Sequence, residues 1–180
     1  MSKETPNCIT ERHLIFFGVI IQSFACHEVL VQEIMATVSG ADATSIKLLI
    51  SALDFTEKRD ALFNLLRHRA VPCGHIDQLQ SYFEVLRTFT QLRNDIAHSA
   101  WVEGKPDNLI WPIWLTHGPL TAVKAMHDIG EHVKDFVEDD TDRVGYSLDD
   151  LKEIAERLEL NYASAREYAA EVGLIASNAA

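Results

Sequence analysis

In the stretch QLRNDIAHSAW, Gln91 to Trp101, an arginine, an asparagine and a histidine close a run that otherwise has the spacing of a buried helix. At about 100° per residue, Arg93 falls near the centre of the stripe formed by Leu79, Leu86 and Phe89, and His98 lies about 140° around from it. Asn94 and His98, four apart, share a face. An unpaired guanidinium on an apolar stripe carries a penalty on the order of several kcal/mol, so Arg93 should meet a carboxylate, a helix C-terminus or an anion. Glu28, the one acid on the apolar series of the first long helix, is the available carboxylate. We therefore expect either a Glu28–Arg93 pair or a Glu28 that merely packs at a helix edge.

The elements that must position these residues follow from apolar periodicity. From Thr10 to Val38, Phe17, Phe24, Val31 and Val38 recur every seven residues, as do Leu14, Ile21 and Met35, which predicts one long amphipathic helix ended by Gly40. Ile46, Leu49, Ile50 and Leu53 suggest a short helix. Phe55, Leu62, Leu65 and Leu66 suggest another, capped by Asp54. Pro72 and Gly74 should break the chain before a helix from about Ile76 to His98, with Leu79, Tyr82, Phe83, Leu86, Phe89 and Ile96 on its buried face. GKPDN reads as a turn, and Asn108 to Leu115 as a short strand that Pro112 confines to an edge. Val123, Met126, Val133, Phe136 and Val137 favour a helix between Leu120 and Val137. Ser147 and Asp150 resemble a capping box opening a last helix, whose stripe runs from Leu151 to Val172 and ends at Gly173. The prediction is an all-α, up-and-down bundle of four or five main helices in one domain over residues 1–180, with an inserted loop or hairpin at about 99–119.

The totals narrow the function classes. Sixteen basic residues against 27 acidic ones give a formal charge of -11, which repels polyanions at long range. Any contact with RNA must then use a local basic concentration or a partner. Three cysteines without a C-x-x-C spacing point to a reducing, cytoplasmic setting rather than a disulfide framework. LIFFGVIIQSFAC, Leu14 to Cys26, imitates a signal segment, but its flank lacks net positive charge and its helical pattern continues to Val38. We read it as a core helix, with no membrane partner. Paired positions such as His127 with Glu131, or Asp128 with His132, lack the companion ligands of a bundle di-metal site, so no metal and no cofactor is expected.

RNDIAH, Arg93 to His98, resembles the signature of HEPN domains: an arginine, a polar residue, three arbitrary residues and a histidine near the end of a long helix in a small α-bundle. A long opening helix, a motif helix and a long closing helix in that order extend the resemblance over most of the chain. The resemblance implies a metal-independent endoribonuclease whose active site forms where two motif helices meet in a homodimer, often in toxin or anti-phage systems with a cognate antitoxin or partner protein. It implies His98 as general acid or base on the RNA 2′-hydroxyl or leaving oxygen. Arg93 would hold the scissile phosphate, and Asn94 would orient the histidine or the phosphate. The implied products are a 2′,3′-cyclic phosphate and a 5′-hydroxyl. One family branch, regulated by nucleotidyl transfer, carries a tyrosine two residues after the histidine. Here that position is Ala100, and that regulation is not implied.

Simpler readings stand beside this one. Arg93 and His98 can be structural, the latter as a cation at a helix C-terminus. The chain would then be a non-catalytic dimeric interaction module or a nucleotide-binding one. Trp101, Trp111 and Trp114 can stack on unpaired bases, but more often such residues pack an insertion onto a bundle.

Overall fold

A computed structural model describes residues 9–103, 109–114 and 145–176. Among them the chain is an all-α bundle of five helices with one short inserted hairpin. The helices are α1 (Glu11–Ser39), α2 (Ala43–Ile50), α3 (Phe55–His68), α4 (Cys73–His98) and α5 (Leu148–Glu171). The strands β1 (Ser99–Glu103) and β2 (Ile110–Trp114) pair antiparallel, with Ser99 opposite Trp114 and Trp101 opposite Pro112. A two-stranded ribbon leaves each strand an open edge, so Pro112 is tolerated as expected. The GKPDN turn and the helix expected over Leu120–Val137 with its histidines lie outside the described residues.

The helix ends follow from local chemistry. Asp54 caps α3 in a reciprocal capping box with Glu57, at 2.8 and 2.9 Å. Ser147 and Asp150 do the same for α5, with backbone bonds of 2.8 and 3.1 Å. Asp42 caps α2 through the Ser45 amide. Gly40 and Gly173 leave α1 and α5 with φ of +75° and +74°, the left-handed turn that glycine adopts without a Cβ penalty. Gly74 does not break the chain. It sits in the first turn of α4, whose N–H groups have no intrahelical partner, and the Pro72 carbonyl opens that helix by accepting from the His75 and Ile76 N–H groups at 2.9 and 3.3 Å.

The chain divides into two compact units, one of residues 1–18 with 91–154 and one of residues 19–90 with 155–180. In the second unit the core of α1 is Ile20, Phe24, His27, Leu30, Val31, Ile34 and Met35, so the seven-residue series through Phe24 and Val31 faces inward. The companion series is mixed: Met35 is buried, whereas Leu14, in the first unit, is 58 % exposed. His27 is fully buried, and its Nδ1–H donates to the Ser23 carbonyl at 2.7 Å. Its Nε2 accepts from the Asn161 side-chain amide at 3.0 Å, and the same amide donates to the Tyr82 carbonyl at 3.1 Å. Burial lowers the His27 pKa, which keeps the ring neutral in this tautomer. One hydrogen-bonded amide thus ties α1, α4 and α5 together.

In the first unit, Trp101 on β1 packs against Phe17 on α1 with ring centroids 4.8 Å apart. Tyr146, just before α5, exchanges both backbone bonds with Ile110 of β2 at 2.9 Å and lies 6.2 Å from the Trp101 ring. Trp101 therefore does what the packing reading expects of it.

Candidate active site at the end of the motif helix

The side of α4 that is buried changes along its length. Ile76, Leu79, Phe83 and Leu86 are buried, and at helical pitch they lie within about 80° of one another. Beyond Thr90 the buried residues are Leu92 and Asp95, about 140° to 160° around from Leu79. Arg93 thus continues the side of Leu79 and Leu86, as its spacing indicates, but at its level of the helix that side is open. Arg93 and Asn94 are half-buried, and Ala97 and His98 are exposed. Periodicity placed Arg93 on the right face. The inference that this face is buried at position 93 is corrected.

Arg93 Nη1 donates to Asn94 Oδ1 at 3.1 Å, which holds the guanidinium beside the asparagine. Among the described residues Arg93 forms no ion pair. The expected partner, Glu28, is engaged elsewhere: its carboxylate accepts from Lys58 Nζ at 2.6 Å. Glu28 is a packing acid of the α1–α3 contact, because the buried ammonium of Lys58 needs a counter-charge there. The supporting role assigned to it beside Arg93 is corrected accordingly.

Helix α4 runs directly into β1 with no intervening loop, so His98 is the last helical residue and Ser99 the first of the strand. The Ser99 hydroxyl is buried without a hydrogen-bond partner among the described residues. Arg93, Asn94 and His98 therefore share the outward arc of one helix end, a cation and an amide beside an imidazole. Such a set can grip an oxyanion through charge-assisted hydrogen bonds and exchange a proton with it.

Sequence reasoning missed Asp95, treating it as one of three arbitrary residues inside the motif. It is only 4 % exposed and accepts from Gln91 Nε2 at 2.9 Å. Burial first, and then the Asp95 charge, push the Tyr146 phenol pKa up. An acid at i+4 from a glutamine on a helix was the available signal. A shallow groove of about 240 Å³ between α3 and α4, in the other unit, is lined by Arg59, Asp60, Asn64, Arg67 and Glu84. Its Arg59 is already matched by Asp60 at 2.9 Å and Glu84 at 3.8 Å, so it offers an anion little unbalanced charge.

The helical bundle and this helix-end cluster are the features that define the chain. No protein-family model, no curated protein and no solved structure matches it.

Proposed function

We propose that the chain is a HEPN-like, metal-independent endoribonuclease that works as a homodimer in the cytoplasm, within a toxin or anti-phage system. The observation that carries this reading is the hydrogen-bonded Arg93–Asn94 pair with an exposed His98 on the open arc of α4, opposite buried Leu92 and Asp95. In this reading Arg93 binds the scissile phosphate and offsets charge growing on its oxygens. His98 accepts the proton of the attacking 2′-hydroxyl or delivers one to the departing 5′-oxygen. Asn94 keeps the guanidinium in register. Twofold pairing of motif helices gathers two such sets, which creates a local cationic focus on a chain of net charge -11.

A second reading is favoured by the same Arg93, which is half-exposed and without a carboxylate partner among the described residues. It makes the chain a non-catalytic dimeric module that binds a nucleotide or another anion. Incubation of the purified protein with RNA in EDTA separates the two. The enzyme reading expects cleavage that His98→Ala abolishes while the dimer persists. Retained cleavage in that variant would remove His98 from the chemistry.

A further inference from the structure

Helix α1 buries one side and leaves the other bare. No Asp, Glu, Lys or Arg occurs from His13 to His27. The most apolar stretch of the helix has a mean hydropathy of 1.9, yet only 39 % of it is buried. The centre line of the bare side is Ile15, Gly18, Gln22, Ala25 and Val29, all exposed. At helical pitch these five lie within an arc of about 80°. Ile15 and Val29 are 54 % and 47 % exposed, an apolar pair that the chain's own packing does not use. Their spacing of three, four, three and four is the repeat by which one helix seats against another. Nor does the fold call for Gly18: among the described residues no atom lies within 4 Å of where its Cβ would stand. Glycine inside a helix is less stable than alanine, so its place on this line is explained by a backbone approaching from outside the chain.

The stripe reads alike in both directions from Gln22. One turn away on either side stands a small residue, Gly18 or Ala25, and two turns away a branched apolar one, Ile15 or Val29. We propose that this face docks a second copy of the chain, antiparallel, about a twofold axis through Gln22. Ile15 then meets the partner's Val29, small residues let the backbones close, and the two Gln22 amides face each other and set the register. Glu33, the next residue on the arc, is already matched by Arg166 at 2.5 Å. For two chains of charge -11, an uncharged stripe is also where close approach adds least repulsion. A lipid surface has no use for the palindrome, and Arg12 is the only Lys or Arg on α1 to attract an anionic one. The proposal is independent of the ribonuclease reading, which rests on Arg93 and His98.

The test is sedimentation equilibrium of the full chain, under reducing conditions, from about 1 to 200 μM, a range that brackets the weak dimer expected of a contact only four turns long. Wild type should dimerise within it. Ile15→Glu and Val29→Lys alone should each raise the dissociation constant by about tenfold or more, because a twofold axis makes every substitution act twice. Ile15→Glu/Val29→Lys together should recover most of the loss, since an antiparallel pair sets the two introduced charges opposite each other. Gly18→Leu should weaken the dimer as strongly without lowering the melting temperature of the dilute monomer. Circular dichroism confirms that each variant is folded, and if Ile15→Glu does not fold, Gly18→Leu and Val29→Lys carry the test. A wild type that stays monomeric, including one that instead floats with phosphatidylcholine–phosphatidylserine vesicles, would overturn the proposal. So would a dimer that the single variants leave unchanged, or one that the double variant fails to restore. A dimer unmoved by these variants is held by another face and leaves the ribonuclease reading intact, whereas failure to cleave RNA removes that reading and leaves this one.

Discussion

Replacing Asn161 by alanine perturbs the hydrogen-bonded centre of the second unit, and the structure sets the size of the effect. The Asn161 amide satisfies two acceptors, His27 Nε2 at 3.0 Å and the Tyr82 carbonyl at 3.1 Å. His27 is 0 % exposed, so no water replaces the lost donor without opening the core. Leaving a buried acceptor unsatisfied costs about 1–3 kcal/mol, and the void left by a truncated side chain 9 % exposed adds to it. A total near 2–4 kcal/mol corresponds to a fall in melting temperature of roughly 5–15 °C for a chain of this size. Calorimetry or urea melts at pH 7.5 measure it. A paired Asn161→Leu/His27→Leu variant should recover much of the loss, since both polar partners are removed together. A single variant melting within about 1 °C of wild type would refute the reasoning that this amide is a structural tie.

The His27 and His13 pKa values are both lowered by burial, so the unfolded chain binds more protons than the folded one below the ordinary histidine value of 6.5. Stability should therefore be fully present above that value and fall as pH drops through the folded pKa values, a slope that His27→Leu/Asn161→Leu reduces in urea melts. Lys58→Met leaves the Glu28 carboxylate, 28 % exposed, without its ammonium and should cost about 1–3 kcal/mol by urea titration. Lys58→Met/Glu28→Leu together should be closer to neutral. Ala70 closes α3 with φ of +53° in a turn where Val71 donates to the Leu66 carbonyl at 3.0 Å, so Ala70→Gly is expected to stabilise by about 1 kcal/mol. Arg93→Lys should keep the charge yet lower RNA cleavage by about tenfold or more in a gel assay, because an ammonium lacks the planar fork.

Most of the helical elements were legible because their signals are local. Asp54, Ser147, Gly40 and Gly173 mark helix ends through side-chain and backbone chemistry that acts within four residues. Pro112 marked an edge strand for the same reason. The site was only partly legible. Spacing put Arg93 on the stripe of Leu79 and Leu86, but no period announces that the buried side changes beyond Thr90, since that depends on what packs against each stretch. Periodicity offered Arg93 as the cation for Glu28, and only tertiary packing reveals Lys58 as its partner. The Gln91–Asp95 spacing was a signal for their hydrogen bond but not for the burial of Asp95, since such a pair sits as readily on an exposed helix face. Gly74 misled because glycine reads alike as a loop residue and in a first helical turn.

The chemistry of the cleaved ends tests the central claim most directly. RNA incubated with the purified protein in EDTA should carry 2′,3′-cyclic phosphate and 5′-hydroxyl termini, absent when His98→Ala is used at equal concentration. Intact RNA with wild type, or the same termini produced undiminished by His98→Ala, would contradict the assignment of Arg93, Asn94 and His98 as a phosphodiester-cleaving set.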